Sequence, residues 1–367
     1  MHVIQLDHIT INYAGRVIFA DLSWAIGDRA RVGLVGPNGA GKSSLFKAIT
    51  GEVIPDAGTV ARARGLTVGY LPQEVRLAPG RTVLDEALVP PPALAEVDAR
   101  LARLEAQLAD PDVYTDPDAL ARVLDRQAAA LDEYERLGGP RHATAVSDML
   151  ARLGFSEDDL ALPTEALSGG QKKLVALVRL AVESPDVLLL DEPDNHLDLP
   201  RKRQLEGFIK AYPGAVVIIS HDRYLLDEVA TQIAELERGR LTVYPGNYTA
   251  YTTERELRRL RQQQMYAAQQ KEIARIEAAI KRFEHWAHIV VEERHIRQAR
   301  SRRKMLERME ANGEMIEKVA VQQTMELQLN GGRGSTKALE IRGLTMGFDD
   351  DLLLLDGTRG KVIVNPG

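Results

Sequence analysis

The stretch Gly36-Pro37-Asn38-Gly39-Ala40-Gly41-Lys42-Ser43-Ser44 decides the fold class of this chain. It satisfies the pattern G-x-x-x-x-G-K-[ST], in which glycines let the backbone turn its N–H groups toward phosphate oxygens. Residues 31–35 read as a buried strand that enters the loop, and residues 45–49 as a helix that leaves it. The helix N-terminus adds partial positive charge. This context predicts a nucleoside triphosphate site on residues 36–44, with Lys42 on the β/γ-phosphates and Ser43 on Mg²⁺.

Four further segments share the feature that each carries polar residues at the end of a strand or the start of a helix. They are Gln73 after residues 69–72, Leu167-Ser168-Gly169-Gly170-Gln171 before a predicted helix at residues 172–182, Asp191 and Glu192 after the apolar residues 187–190, and His221 after the apolar strand at residues 215–220. Behind a phosphate-binding loop, these segments together resemble the ATP-binding-cassette (ABC) ATPases. The resemblance implies an α/β P-loop cassette with a helical subdomain, and ATP with Mg²⁺ as cofactors.

The resemblance also implies a role for each site residue. Asp191 would bind Mg²⁺ through water, together with Ser43 and Gln73. Glu192 would polarise the attacking water, because a carboxylate beside a metal-bound phosphate can orient it. His221 would contact the γ-phosphate, and Gln73 would sense it. The catalytic candidates are therefore Glu192, His221 and Gln73, and Tyr13 is similar to the family's aromatic that stacks on adenine.

The signature segment, Ser168, Gly169, Gly170 and Gln171, has a different role in this family. It closes over the ATP that is held by the phosphate-binding loop of another domain, and Gly-Gly at a helix start exposes N–H groups to a γ-phosphate. One cassette therefore carries two half-sites that face different partners. We expect a single cassette to hydrolyse ATP poorly.

Composition bounds the class of protein. The 367 residues suffice for two or three domains. The sequence contains no cysteine, which excludes disulfides and thiolate metal sites and agrees with a reducing cytoplasm. It has no apolar stretch of transmembrane length, so we expect that the cassette is not fused to a membrane domain.

The net charge of −6 hides a strongly basic segment. Residues 294–308 hold a net +6, from seven basic side chains and one acidic side chain. A basic element on an acidic body is the electrostatic pattern expected for a polyanion partner. The candidates for RNA contact are Arg294, Arg297, Arg300, Arg302, Arg303 and Lys304.

The chain divides into three predicted parts. Residues 1–250 form the cassette, with short strands and turns in residues 3–75 and the helical subdomain at about residues 90–182. In this subdomain, Asp110-Pro111 and Asp116-Pro117 break the helical periodicity into two helices. Residues 251–330 form an antiparallel helical hairpin, with helices at residues 254–288 and about 292–310. Residues 331–336 read as a flexible linker.

The third part, residues 331–367, begins a repeat after this linker. Residues 339–345 echo residues 4–10, and Phe348 falls where Tyr13 does. No second phosphate-binding loop, signature or Asp-Glu pair follows. The expectation from the sequence is a truncated second cassette. Either the chain is a fragment, or a second copy pairs with it head-to-tail.

Cassette, basic hairpin and second cassette form an arrangement that resembles the ABC-F proteins. Residues 191–198 (DEPDNHLD), residues 220–229 (SHDRYLLDEV) and Gly246-Asn247-Tyr248 are close to that family. The resemblance implies a cytoplasmic ATPase on the ribosome, with the hairpin reaching toward the P-site tRNA. Asp194 departs from the usual Thr; its extra carboxylate either weakens the placement of metal or water, or faces the domain interface.

Two other classes of protein stay open at this point. A DNA-associated ABC ATPase would also fit a basic element on an acidic body. A nucleotide-binding subunit of an ABC transporter would keep the motifs, but would need a membrane partner and would not carry the basic hairpin. The same parts serve translation factors and antibiotic-protection proteins, and the motifs do not separate ATP from GTP.

Overall fold

The structure, a computed structural model, describes residues 2–13, 15–289, 293–312, 346–348, 351–356 and 361–365. The chain divides into two compact units, residues 1–261 and residues 262–367. The described strands of the first unit are β1 (His2–Tyr13), β2 (Arg16–Gly27), β3 (Arg31–Val35), β4 (Ala57–Arg62), β5 (Val68–Leu71), β6 (Val187–Asp191), β7 (Ala215–Ile219), β8 (Gln232–Glu237) and β9 (Arg240–Pro245).

A six-stranded sheet lies at the centre of the first unit. Its strand order is β5-β6-β7-β3-β8-β9. The first five strands are parallel, and β9 runs antiparallel to β8. Every residue of β6 and β7 is buried, as in a parallel sheet that is covered on both faces. Because parallel strands end at one edge of a sheet, the loops after β3, β5, β6 and β7 meet there.

A second, antiparallel sheet has the order β2-β1-β4. β1 and β2 each span twelve residues, longer than the short strands expected from the sequence. Irregular register interrupts their pairing, and His8 and Asp21 adopt positive φ angles of 49° and 58°. Bulges of this kind let one long strand bend, whereas glycine and turn signals in the sequence suggest separate strands.

The described α-helices of the first unit lie between and after these strands in the chain. They are α1 (Lys42–Thr50), α2 (Val83–Ala87), α3 (Pro92–Leu108), α4 (Pro111–Tyr114), α5 (Pro117–Arg136), α6 (Gly139–Arg152), α7 (Glu157–Leu160), α8 (Gly169–Val182), α9 (Leu199–Ala211) and α10 (Arg223–Val229). α1 packs in a core with both sheets, and α6 and α8 pack in a second core with β6 and β7.

Between residues 92 and 136 the structure has three helices, whereas the sequence predicted two in this stretch. Asp110 and Asp116 each cap a helix, since their carboxylates accept hydrogen bonds from the N–H groups of Asp112 and Asp118 at 3.0 and 2.9 Å. A proline follows each cap at the first helical position, where its missing N–H costs nothing. The short helix α4 therefore forms between the two breaks.

Two long helices follow, α11 (Tyr248–Ile289) and α12 (Glu293–Ala311). α11 begins before the predicted start at residue 254, because Asn247 Oδ1 accepts a hydrogen bond from the N–H of Ala250 at 3.1 Å. In the second unit, Ile276 and Ile280 of α11 form an apolar cluster with Ala299 of α12. The two helices therefore pack against each other as a hairpin.

The second unit also contains β10 (Met346–Phe348), β11 (Asp351–Asp356) and β12 (Lys361–Asn365), which form an antiparallel sheet in that order. Phe348 lies at the end of β10. The predicted linker at residues 331–336 and the repeat at residues 339–345 lie outside the described residues. Among the helices that the structure describes, none is both long and apolar enough to cross a membrane.

Candidate nucleotide site

The phosphate-binding loop runs from the end of β3 to the start of α1. Gly36 has a φ of 154°, and a Cβ there would lie 2.2 Å from the carbonyl oxygen of Leu236 in β8. Gly41 precedes α1 with a φ of 98°, and a Cβ there would lie 2.3 Å from Ile18. Only glycine fits these two positions. The sequence pattern therefore has a direct steric reason in this fold.

Lys42 is buried, with 9% of its surface exposed. Its ammonium donates hydrogen bonds to the carbonyl oxygens of Gly36 and Pro37, at 2.8 and 3.0 Å. Burial lowers its pKa, while the charges of Glu192 and Asp191 act in the opposite direction. The cation is thus folded back over its own loop, beside the two carboxylates that end β6.

Asp191 is the buried carboxylate at the end of β6, and 2% of its surface is exposed. The hydroxyls of Ser43 and Tyr70 lie beside this carboxylate, and its Oδ2 atom has no hydrogen-bond partner. Burial raises the pKa of this carboxyl. The same environment, first burial and then the charge of Asp191, raises the pKa of Tyr70 to about 12.

These residues fit a Mg²⁺ ion that is shared with a nucleotide. A buried, unpartnered carboxylate oxygen is costly unless a ligand satisfies it. Mg²⁺ is commonly held by one or two protein groups, with phosphate oxygens and water completing its six ligands. Ser43 and Asp191 are such groups, and among the described residues no cluster of three or more His, Cys, Asp or Glu side chains forms a separate metal site.

Glu192 follows Asp191 with a left-handed φ of 51°. Its Oε2 atom accepts hydrogen bonds from the side-chain amides of Gln73, at 2.9 Å, and of Asn195. Its Oε1 atom lies 3.6 Å from His221 Nε2. The structure thus brings together the three residues that the sequence named as catalytic candidates, and adds Asn195 to them.

The signature residues cap α8. Ser168 Oγ accepts a hydrogen bond from the N–H of Gln171 at 3.2 Å, and Gln171 Oε1 accepts one from the N–H of Ser168 at 3.0 Å. A Cβ on Gly170 would lie 2.6 Å from the carbonyl oxygen of His196. The signature therefore lies against the loop that follows Glu192 in its own cassette. Tyr13, at the end of β1, is 74% exposed.

The hairpin places the basic residues in two groups. Arg303 pairs with Glu284 of α11 at 2.5 Å, and the Arg302 guanidinium lies 5.1 Å from the centre of the Phe283 ring. The exposed basic residues of α12 include these two as well as Arg297, Arg300, Lys304 and Arg308. The side chain of Arg294 lies outside the described residues. Arg302 and Arg303 thus contact α11, and their role as RNA-contact candidates stays a prediction.

Two residues near Glu192 were missed in the sequence, Lys173 and Tyr70. Lys173 lies in α8 between apolar residues of the helix's buried face, and 5% of it is exposed. A lysine within the apolar face of a predicted helix is the signal that would have found it. Tyr70 gives no such signal, because tyrosine is common in strands.

Asp194 is buried, with 4% of its surface exposed, so it does not face a domain interface. The Ser220 hydroxyl lies beside its carboxyl, and its Oδ1 atom has no hydrogen-bond partner. Burial raises its pKa, and the nearby Asp222 acts in the same direction, whereas Lys202 opposes it. The ionised form of this carboxyl is therefore less favourable in the folded protein than in the unfolded chain.

We expect Asp194→Asn to melt at a higher temperature than the parent at pH 7.5. A raised folded-state pKa means that the protonated carboxyl favours folding at low pH, and that this stability is lost as the pH rises through the folded pKa. The uncharged amide of the variant does not lose this stability, so its Tm should exceed that of the parent by roughly a few degrees. The difference should shrink as the pH falls toward 4. The exposed Asp132→Asn of α5 is the control; an Asp194 difference that does not change with pH would contradict the expectation.

The glycine-rich loop before α1, the buried Asp191, the cluster around Glu192 and the signature that caps α8 together define a nucleotide-binding cassette. Two family models, both described as ABC transporter, match residues 19–195 and residues 234–329. The energy-dependent translational throttle protein EttA of Haemophilus influenzae is 37% identical over 93% of this chain and 58% of its own length. EttA of Mycobacterium tuberculosis is 34% identical over 94% of this chain and 58% of its own length.

ABC transporter F family member 2 of Arabidopsis thaliana is 31% identical over 95% of this chain and 50% of its own length. This chain belongs to the F family of ABC proteins, as the motifs predicted. It spans about half the length of the curated relatives that it matches.

Proposed function

We propose that this chain binds ATP with Mg²⁺, hydrolyses it at Glu192, and acts on the ribosome in the cytoplasm. The observation that carries the hydrolytic part is the contact of the Glu192 carboxylate with Gln73, Asn195 and His221, beside the phosphate-binding loop. The ribosomal part is supported by relatives whose names refer to translation, the two EttA proteins. It is also supported by the charge of the hairpin.

In the proposed reaction, the N–H groups of residues 36–44 and the Lys42 ammonium bind the phosphates. Lys42 would exchange its bonds to the carbonyls of Gly36 and Pro37 for phosphate oxygens. Ser43 and Asp191 would hold Mg²⁺, with Gln73 as a further ligand, and Mg²⁺ supplies neutralisation of phosphate charge. Glu192 would orient the water, and His221 would donate a hydrogen bond to the γ-phosphate. Tyr13 would stack on the adenine.

The signature residues would act on a second nucleotide. Ser168, Gly169 and Gly170 stand at the N-terminus of α8, where N–H groups and the helix dipole favour an anion. We propose that they close over ATP on another cassette, either in a second copy or in a longer form of this chain. Hydrolysis would then require two cassettes, arranged head-to-tail.

The hairpin supports a polyanion partner through one face of α12. Arg297, Arg300, Lys304 and Arg308 lie three, four and four residues apart, which places them within an arc of about 80° at 3.6 residues per turn. Ala299 and Leu306 pack against α11 about half a turn of the helix away from them. These four exposed cations form a stripe roughly 16 Å long. We call this set the basic stripe.

Four cations along one helix face suit phosphates along a nucleic-acid backbone, which carry one charge each. We propose RNA of the ribosome or of tRNA as the partner, with the P-site tRNA as the specific expectation. A DNA-associated ABC ATPase remains the second candidate, since the same stripe would bind a DNA backbone.

We expect Arg297→Gln, Arg300→Gln, Lys304→Gln and Arg308→Gln together to weaken ribosome binding about 10-fold or more at moderate salt. Each lost phosphate contact removes roughly 0.7–0.9 from the slope of log K against log salt, so the slope should fall by about 3. Ribosome co-sedimentation over a salt series measures both quantities. ATP binding should stay unchanged.

The matched control changes four exposed arginines of the helical subdomain to Gln, namely Arg103, Arg122, Arg126 and Arg136. Its net charge equals that of the stripe variant. Equal loss in both variants would mean that net charge alone attracts the protein, and unchanged affinity and slope in the stripe variant would refute the RNA contact. A shift assay with duplex DNA at the same salt decides the second candidate, which predicts that DNA binding depends on the stripe and ribosome binding does not.

A further inference from the structure

Lys173 contacts the backbone of the proposed catalytic residue. Its ammonium donates a hydrogen bond to the carbonyl oxygen of Glu192 at 2.6 Å. Burial lowers the pKa of Lys173, and the charges of Glu192, Asp191 and Asp194 act in the opposite direction. A lysine this deeply buried is rare unless it is paired. Here the partner is the peptide group of Glu192, within a cluster of three carboxylates.

The backbone of Glu192 needs such a contact. A left-handed conformation costs a residue with a side chain about 1 kcal/mol or more, and it persists only where its surroundings hold it. The N–H of Glu192 donates to the carbonyl oxygen of Ile219 at 2.8 Å. Its carbonyl oxygen accepts from the N–H of Asn195 at 3.3 Å and from Lys173. Of these three bonds, the one from Lys173 is the shortest.

The same helix contacts the other end of this loop. Gly170, one turn before Lys173 in α8, lies so close to the carbonyl oxygen of His196 that a Cβ would approach it to 2.6 Å. The first turns of α8 thus touch the loop at Glu192 and at His196. Because α8 begins with the signature, a displacement of the signature would be transmitted to the backbone of Glu192 through Lys173.

We propose that Lys173 is a positioning residue, which holds Glu192 in its left-handed conformation and links its carboxylate to the signature helix. It also balances the extra negative charge that Asp194 brings to this loop. Lys173 touches neither nucleotide nor water in this role, so it acts through Glu192. The effect of Lys173 on catalysis rests on the proposed function, in which Glu192 takes part in hydrolysis. The positioning of the Glu192 backbone rests only on the contacts of α8.

The first test is hydrogen–deuterium exchange of the segment at residues 192–197 in the full chain. We expect Lys173→Met, which keeps the length of the side chain and removes the donor, to speed exchange of this segment at least threefold. Lys173→Arg keeps a charged donor and should return exchange toward the parent rate. Lys172→Met is the matched control, since Lys172 is the neighbouring lysine of α8 and is only half-buried. It should leave exchange unchanged.

The second test is single-turnover hydrolysis at high protein concentration, with the Kd for ATP measured in parallel. We expect Lys173→Met to lower the rate at least 10-fold and to change the Kd less than threefold, with recovery in Lys173→Arg. Unchanged exchange in Lys173→Met, equal effects in Lys172→Met, or equal losses of rate and affinity would each overturn the proposal. Absence of hydrolysis in the parent at every protein concentration would count against hydrolysis by two copies of this chain, and the exchange test would still decide the positioning.

Discussion

Glu192→Gln should reduce ATP hydrolysis by about 100-fold or more and leave ATP binding intact. The amide has the shape of the carboxylate but lacks its charge, and loss of a positioned general base typically costs two or more orders of magnitude. Lys42 and Ser43, which would bind phosphate and metal, are unchanged. The rate of single-turnover hydrolysis and the Kd for ATP, measured on the same preparation, give the two quantities.

Glu206→Gln is the matched control, because Glu206 lies in α9, outside the phosphate-binding loop and outside the group of residues around Glu192. It should hydrolyse ATP at the parent rate. Near-parental turnover in Glu192→Gln would show that another group orients the water. Loss of ATP binding in that variant would show instead that the Glu192 side chain supports the loop at residues 36–44.

Lys42→Ala should weaken ATP binding about 100-fold. Lys42 is 9% exposed, and its ammonium already donates two hydrogen bonds inside the loop, so it is held close to the place where phosphates would lie. Charge-assisted hydrogen bonds contribute roughly 1.5–3 kcal/mol, and each 1.4 kcal/mol corresponds to a factor of ten. Titration of the chain with ATP and Mg²⁺ by calorimetry measures this Kd.

The comparison for this experiment is Lys47→Ala, on the exposed side of the same helix α1. It removes an equal charge and should leave the Kd within about twofold of the parent value. A Kd for Lys42→Ala within threefold of the parent would mean that the backbone N–H groups bind the phosphates without the lysine. Equal weakening in both variants would point to a long-range effect of net charge.

The phosphate-binding loop could be predicted from the sequence because all of its residues are adjacent in the chain. Phosphate binding needs glycines at fixed spacing and a helix immediately after them. Gly36, Gly41 and Lys42 therefore identify the site within one short stretch of chain. The apolar runs before Asp191 and His221 predict parallel strands, and such strands place their carboxyl ends together. The meeting of Gln73, Glu192 and His221 could therefore be expected before the structure.

Three features depend on packing between distant segments. The left-handed conformation of Glu192 is held by hydrogen bonds with Ile219, Asn195 and Lys173. The sequence around Glu192 does not predict this conformation. The burial of Asp194 excludes one of the two alternatives for this residue, namely that it faces an interface. α11 begins at Tyr248 because of the Asn247 cap, although the change in composition comes later.

The sequence by itself determined the class of protein, the cassette motifs and the presence of a basic helix, since each depends on residues that are close in the chain. The tertiary structure alone decided which cations form the basic stripe and which pack against α11. It also decided that a lysine of the signature helix contacts the carbonyl of Glu192. Periodicity predicts that a helix has two faces, but the neighbour that covers one of them is chosen by packing across the whole fold.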